Sequence, residues 1–261
     1  AFDESPRPAG WRLSPAAVVT FICGSDGDKL KLPRGVKADV PATLVISEKF
    51  VGERAIVERC VVTLAGERGL LLVGEPGTAK SMLSELLGAA ISGTSGLTIQ
   101  GTAGSTEDQF RYSWNYSQLL ASGPDVSALV PSPLMIGMQN GQVVRIEEVT
   151  HCLPEVQDSL ISLLSERRLM IPELSDESGS VFAAPGFNII ATANLRDKGV
   201  SEMSAALKRR FNFEVIAPIS EHQREVELVK RQPTALLADS GVAAPVDDGL
   251  LDVLVTAFRD L

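Results

Sequence analysis

A glycine-rich turn at residues 74–81 constrains the fold of this chain more than any other feature of its sequence. It reads Gly-Glu-Pro-Gly-Thr-Ala-Lys-Ser and lies between an apolar run, residues 70–73, and an amphipathic helical pattern that ends at Gly93. A turn between a strand and a helix directs backbone N–H groups and the positive end of the helix dipole at one point, which suits a polyphosphate. We therefore predict a phosphate-binding loop here, and a glycine-rich turn without function is the disfavoured alternative.

Within this loop, Lys80 is expected to neutralise the β- and γ-phosphates, and the Ser81 hydroxyl to bind Mg²⁺. Ala79 stands where glycine is usual, and if that position takes a positive φ, alanine costs about 1 kcal/mol there. The residues that we expect to contact a bound nucleotide in this segment are Glu75, Pro76, Gly77, Thr78, Ala79, Lys80, Ser81 and Met82.

Strand-like and helix-like patterns alternate along most of the chain. Such alternation predicts an α/β fold, in which a mostly parallel sheet is covered by helices on both faces. The predicted strands are residues 70–73, 97–99, 143–146, 187–191 and 213–216. The main predicted helices are residues 16–22 with Ser14 as a cap, 56–64, 83–91, 221–232 and 247–261.

Two segments interrupt this alternation. Residues 101–142 contain four aromatic side chains with a period of two, which is typical of a strand and predicts a small hairpin. Residues 167–188 contain apolar runs on either side of a turn at 176–179, which predicts a second hairpin. The four aromatic residues of the first segment are Phe110, Tyr112, Trp114 and Tyr116.

An acidic pair, Glu147 and Glu148, follows the third predicted strand. Beside a phosphate loop, the first acid of such a pair holds the metal, here together with Ser81, and the second polarises the attacking water. Glu147 stands where aspartate is usual and is one methylene longer, and Arg145 interrupts the apolar run of the strand. A solvated strand end that carries two acids is the alternative interpretation.

Asn194 follows the fourth predicted strand, where an amide could bind both the γ-phosphate and the attacking water. A guanine-binding interpretation competes, because residues 194–197 faintly resemble Asn-Lys-x-Asp, but Leu195 replaces the lysine that should cover the base. Next come Arg209 and Arg210, either of which could reach the γ-phosphate in a neighbouring subunit and stabilise transition-state charge. A basic surface cluster is the alternative for these arginines.

The composition excludes several classes of partner. The net charge of −9 argues against a broad nucleic-acid surface, which needs clustered basic residues. The three cysteines have no pairing or metal-ligand spacing, which is typical of a reducing compartment. The longest apolar run, residues 16–23, is far shorter than the roughly 20 residues of a membrane span. We therefore expect no nucleic acid, no membrane and a cytoplasmic location.

Four motifs of this chain resemble, in sequence and in order, those of the MoxR-type ATPases. They are Gly-Glu-Pro-Gly-Thr-Ala-Lys-Ser, Ile-Glu-Glu, Thr-Ala-Asn and Lys-Arg-Arg-Phe. These ATPases belong to the helix-2-insert clade of the AAA+ superfamily, and the resemblance covers roughly residues 50–219. It implies a P-loop AAA+ core that uses ATP and Mg²⁺. The site residues that it implies are Lys80 and Ser81 for phosphate and metal, Glu148 as catalytic acid, Asn194 as sensor 1, Arg210 (before Arg209) as arginine finger, and Val51 and Gly52 against adenine.

The resemblance also implies a domain arrangement. We expect an N-terminal extension at 1–44, an α/β nucleotide-binding core at 45–219, and the start of a helical lid at 220–261 that stops before a sensor-2 arginine. The insert in the second helix would be residues 101–142, and the hairpin before the sensor strand would be residues 167–188. The insert aromatics are expected to pack this insert onto the body, with contact to a client chain in a central pore as the alternative.

The function that follows is ATP hydrolysis in a homo-oligomeric ring, expected to be a hexamer, that remodels, chaperones or activates a partner protein complex. A client could be delivered through a partner with a von Willebrand factor A domain. An ATP-binding assembly scaffold with little hydrolysis and a small-molecule kinase are the alternatives.

Overall fold

The structure of the chain is a computed structural model. It describes residues 2–32, 41–174, 179–194, 201–241 and 247–259, without the side chains at 232, 233, 235, 236, 238 and 239. The chain divides into two compact units, Ala1–Ile216 and Ala217–Leu261.

The first unit is built on a five-stranded parallel sheet with the order β11-β3-β10-β7-β4. Each predicted strand is confirmed within a few residues. Every residue of β3, β7 and β10 is buried, as expected for strands of a parallel sheet that is covered on both faces. The strands are β3 (Gly69–Gly74), β4 (Thr98–Gln100), β7 (Val143–Glu147), β10 (Asn188–Asn194) and β11 (Phe211–Ile216).

Helices cover both faces of this sheet, which confirms the predicted fold class. Leu70 and Leu72 of β3 pack into one hydrophobic cluster, whereas Leu71 and Val73 pack into another, so successive side chains face opposite layers. The first cluster receives α1 (Pro15–Cys23), α2 (Arg54–Ala65) and α3 (Lys80–Ser92). The second receives α4 (Glu107–Phe110), α6 (Pro133–Asn140), α7 (Pro154–Glu166) and α8 (Ala205–Lys208).

The N-terminal segment contributes to the first cluster. Ser14 caps α1 as predicted, since its hydroxyl accepts a hydrogen bond from the Ala17 N–H at 3.2 Å. Trp11 and Ile22 are buried in the same cluster as Leu70 of the central sheet. A two-stranded antiparallel ladder, β1 (Leu30–Lys31) with β2 (Thr43–Leu44), follows. The domain boundaries stay predictions.

The insert differs from the expected strand. Only β5 (Tyr112–Trp114) is extended, because Phe110 ends α4 and Tyr116 begins α5 (Tyr116–Ser122), whose N-terminus is capped by the Asn115 side chain. The predicted hairpin exists nevertheless, since β5 pairs antiparallel with β6 (Leu129–Pro131), and α5 and a 3-10 turn at Val126–Ala128 lie between the two strands. Phe110 and Tyr112 are buried, while Tyr116 is 71% exposed.

The second predicted hairpin is confirmed. β8 (Arg168–Met170) pairs antiparallel with β9 (Ser180–Phe182), and residues 176–178 of the predicted turn at 176–179 lie outside the described residues. The Tyr112 hydroxyl donates to Glu173 Oε2 at 2.7 Å, so the insert and the hairpin are joined by a hydrogen bond.

The second unit contains α9 (His222–Asp239) and α10 (Asp248–Arg259). Leu251 and Val255 of α10 pack on Val226 of α9, and Arg259 bonds Glu225 at 2.6 Å. Within the described ranges, every helix is too short or too polar to span a bilayer.

Candidate functional site

The predicted phosphate loop, acidic pair and Asn194 lie together at the carboxyl edge of the central sheet. β3, β7 and β10 run parallel, so Gly74, Glu147 and Asn194 end at the same edge. Asn194 is level with Gly74 in the register of β10 and β3, and it is 9% exposed. The next residues, 195–197, on which a guanine-binding interpretation depends, lie outside the described residues.

The loop after β3 contains two residues with positive φ. Gly77 and Ala79 have φ values of 81° and 61°, so both lie in the left-handed region. The positive φ at Ala79 confirms that this position would favour glycine. The helix α3 begins at Lys80, directly after Ala79, so the N–H groups of its first turn lie next to the loop.

The Lys80 side chain lies inside this loop. Its Nζ donates to the carbonyl oxygens of Gly74 at 3.0 Å and Glu75 at 2.6 Å, and the residue is 8% exposed. The loop thus holds a buried ammonium group beside the helix N-terminus. Together they fit a phosphate group, because both favour negative charge.

Ser81 and Glu147, predicted as the metal pair, are in direct contact. The Ser81 hydroxyl donates to Glu147 Oε2 at 2.7 Å, and the Thr192 hydroxyl donates to the same oxygen at 2.9 Å. A carboxylate and a hydroxyl are the hard oxygen ligands that Mg²⁺ prefers. Among the described residues, no group of three His, Cys, Asp or Glu side chains could hold a metal ion without other ligands.

Two further residues bind Glu147 and were not predicted as part of the site. Arg145 Nη2 and the Ser84 hydroxyl each donate to Glu147 Oε1 at 2.8 Å. Burial raises the pKa of Glu147, but the hydrogen bonds from Ser81, Ser84 and Thr192 and the charge of Arg145 outweigh it, so its pKa lies below its usual value. Glu147 is therefore ionised. The contact of Arg145 with Glu147 could have been predicted from the sequence, because side chains two positions apart in a strand lie on the same face of the sheet.

Glu148 has an unusual backbone conformation. Its φ of 55° and ψ of 48° lie in the left-handed region, and its N–H donates to Thr192 Oγ1 at 2.9 Å. Its Oε2 lies 3.3 Å from Gln100 Nε2 and 3.3 Å from His151 Nδ1. Such conformations cost about 1–3 kcal/mol and cluster at active sites. Neither Gln100 nor His151 was predicted to be a site residue.

Residues 69–211, from the first residue of β3 to the first of β11, match the family of the AAA domain (dynein-related subfamily). This match spans more than half of the chain. The chain belongs to this family. Its AAA domain thus includes the phosphate loop, the acidic pair, Asn194 and both hairpins.

Several proteins resemble the whole chain or its AAA domain. The uncharacterized protein YehL of Escherichia coli K12 is 52% identical over 259 residues, which are 99% of this chain and 67% of that protein. An uncharacterized protein of Staphylococcus haemolyticus is 27% identical over 144 residues, 55% of this chain and 53% of that protein. The chain thus spans about two thirds of the first relative and about half of the second.

A solved structure from Cytophaga hutchinsonii, proposed to be an ATPase, has a TM-score of 0.48 and 18% identity, covering 69% of this chain and 51% of that one.

The two predicted arginines lie at the opposite edge of the AAA domain's sheet. Phe211 pairs with Gly69, the first residue of β3, so Arg209 and Arg210 precede the amino end of β11. Arg210 Nε donates to the Ser165 hydroxyl at 2.8 Å, whereas Arg209 is exposed. The structure therefore does not bring either arginine to the phosphate loop of its own chain.

The remaining predicted contacts lie before or within the first turns of two helices, α2 and α3. Val51 and Gly52 precede α2, after Phe50, whose N–H donates to the Ile22 carbonyl at 3.2 Å. Met82 lies in the first turn of α3 and is 43% exposed. Contact of these residues with a nucleotide stays a prediction.

Proposed function

We propose that this chain is a MoxR-type AAA+ ATPase, which hydrolyses Mg²⁺-bound ATP in a ring and uses the energy to remodel, chaperone or activate a partner protein complex. The observation that carries the proposal is the hydrogen bond between Ser81 and Glu147 beside the Lys80 loop. The ammonium group and the hydroxyl belong to consecutive residues at the start of α3, and the carboxylate belongs to the last residue of β7. Together they supply the charges that a metal-bound triphosphate requires.

Each residue has a separate role in this proposal. The loop N–H groups and Lys80 bind the phosphates, while Ser81 and Glu147 hold Mg²⁺, which neutralises charge that develops on the phosphate oxygens. Glu148 accepts a proton from the attacking water at its carboxylate, after turning away from Gln100 and His151. Asn194, at the end of the neighbouring strand, orients that water.

The ring follows from the resemblance and is supported by the position of the arginines. Arg210, or Arg209, would stabilise transition-state charge at the site of a neighbouring copy. Specific activity should then rise with protein concentration, and Arg210→Ala should lose activity while keeping nucleotide affinity. A hexamer, and a client delivered by a von Willebrand factor A domain protein, rest on the resemblance alone.

Phosphate release and ATP affinity of four proteins test the proposal: the parent, Lys80→Ala, Glu148→Gln and the control Glu85→Gln. Lys80→Ala should lose ATP binding. Glu148→Gln should keep binding but lose about 10²- to 10⁴-fold in turnover, because the general base is removed. Glu85 is exposed on α3, so its variant should resemble the parent. Turnover by Glu148→Gln at the parental rate would refute the role of Glu148, and a parent that binds no ATP would refute the proposal.

An ATP-binding assembly scaffold is a second candidate, and the surroundings of the acidic pair favour it. Each carboxylate oxygen of Glu147 already accepts two hydrogen bonds, and the Glu148 carboxylate contacts Gln100 and His151. ATP-dependent assembly without phosphate release by the parent would select the scaffold. Partners retained by Glu148→Gln with ATP, and released without it, would identify the client complex.

A further inference from the structure

A buried arginine lies in β7, an inner strand of the five-stranded sheet. Arg145 is 9% exposed, and it stands between Val144 and Ile146 in a strand that is otherwise apolar up to Glu147. Burying a guanidinium group is costly unless its charge and its donors are satisfied. The surroundings of Arg145 meet this requirement.

The five N–H donors of Arg145 meet five acceptors. Nε donates to the Ser84 hydroxyl at 2.9 Å, and Nη1 to the Ser95 carbonyl at 3.1 Å and the Thr98 hydroxyl at 3.3 Å. Nη2 donates to the Ser81 carbonyl at 3.2 Å and to Glu147 Oε1 at 2.8 Å. Arg145 therefore joins the start of α3, the turn before β4 and the carboxylate of Glu147.

The two carboxylate oxygens of Glu147 accept hydrogen bonds from different donors. Oε1 accepts from Arg145 and Ser84, while Oε2 accepts from Ser81 and Thr192. Arg145 and Ser84 thus hold one oxygen, and the other lies beside the hydroxyl predicted to bind the metal. Glutamate has one more rotatable bond than the usual aspartate, so its carboxylate needs such an anchor to keep one orientation.

We propose that Arg145 is a positioning residue that, together with Ser84, holds Glu147 so that Oε2 is the oxygen offered to Mg²⁺. This inference rests on the proposed function, because it concerns the same metal site. The partner of a metal-binding carboxylate fixes the orientation of that ligand, and its loss typically reduces metal affinity about 10- to 100-fold. A purely structural ion pair would affect folding without changing the response to the metal.

The test compares the affinity for ATP in Mg²⁺ with the affinity in EDTA, and the ratio of the two is the metal effect. Arg145→Lys keeps the charge but cannot meet five acceptors, so the metal effect should fall about tenfold while the affinity in EDTA stays nearly unchanged. Ser84→Ala should lower the metal effect by less than tenfold. The control Arg59→Lys changes an exposed arginine that bonds Glu214, and it should leave the metal effect at the parental value.

A second comparison uses the length of the acid. Arg145→Met should reduce the metal effect about tenfold in the parent, but by less than about threefold in a Glu147→Asp background, because the shorter side chain does not need the anchor. Thermal melts show which variants fold. If Arg145→Met does not fold, Arg145→Lys and Ser84→Ala decide the question.

Two results with the variants would overturn the inference alone. One is a parental metal effect in Arg145→Lys and Ser84→Ala. The other is a larger metal effect in Arg145→Met, which would show that the guanidinium group only repels the metal. A parent that binds no ATP, or binds it equally in Mg²⁺ and EDTA, refutes the proposed function and this inference together. A parent with a metal effect that all Arg145 variants share refutes only the inference.

Discussion

The left-handed conformation of Ala79 leads to a stability prediction with an unusual sign. Replacing alanine by glycine usually destabilises a protein, because glycine loses more backbone freedom on folding. Ala79 has φ 61° and ψ 26°, directly before the first residue of α3. There the β-carbon is strained in the folded state, so we expect Ala79→Gly to stabilise the protein.

The magnitude is the difference between two opposing effects. Relief of the left-handed strain is worth about 1–2 kcal/mol, and the added freedom of glycine in the unfolded chain costs about 0.4–1 kcal/mol. Ala79→Gly should therefore raise the free energy of unfolding by about 1 kcal/mol. For a chain of this size that corresponds to a Tm about 2–4 °C higher.

Thermal and urea unfolding without nucleotide measure this effect, and Ala89→Gly is the matched control. Ala89 lies inside the same helix, where glycine should destabilise by about 0.5–1 kcal/mol. The same substitution should thus change Tm in opposite directions at positions 79 and 89. A decrease in Tm for Ala79→Gly as large as that for Ala89→Gly would refute the left-handed assignment.

Three further perturbations have expected outcomes in urea unfolding. Tyr112→Phe should destabilise by about 1–2 kcal/mol. Burial, and then the bond to Glu173, raise the pKa of Tyr112 to about 12, so the parent should also lose stability between about pH 10 and 12, and the variant should lack this loss. Glu147→Gln should cost about 3–5 kcal/mol at neutral pH by leaving Arg145 uncompensated. Since the pKa of Glu147 is lowered, its contribution exists above its usual pKa and is lost as pH falls through the folded value, so the variant should show a shallower acid limb. Asn188→Ala should cost about 2 kcal/mol, because the Asn188 amide satisfies two carbonyls at the end of α2, and an unchanged midpoint would contradict this.

The sheet and the phosphate loop were predictable because their signals are local. The apolar run that became β3, the loop after it and the helix capped by Gly93 all lie within 25 consecutive residues of the chain. Ser14 was likewise recognisable as a cap from its position before a helical pattern. Features of this kind depend on spacing along the chain rather than on contacts across the fold.

The aromatic insert shows where local periodicity fails. A period of two from Phe110 to Tyr116 matches a strand, but it also matches a short helix, three extended residues and the first residue of a second helix. The cap at Asn115 and the burial of Phe110 decide between them. Burial depends on packing against residues far along the chain.

The contact of Gln100 with the acidic pair could not be predicted because it depends on the order of the strands. Gln100 reaches Glu148 only because β4 lies next to β7, with Gln100 paired to Glu147. Arg145 is different, since its position two residues before Glu147 already placed both side chains on the same face. Arg145 is a charged residue within an apolar strand, and this departure from the pattern was the sequence signal for its contact with Glu147.

The sheet also limits how the two arginines can act. β11 pairs with β3 from Phe211 opposite Gly69 to Ile216 opposite Gly74, so the start of β11 and the phosphate loop lie at opposite ends of these strands. Five residue steps at about 3.3 Å each separate the two edges by about 17 Å, which is longer than an arginine side chain. Within this sheet, neither Arg209 nor Arg210 can reach a phosphate that is bound by Lys80 of the same chain. If either arginine contributes to hydrolysis, it must do so at the site of another copy, and inactive Lys80→Ala chains should then restore activity to Arg210→Ala chains when the two are mixed.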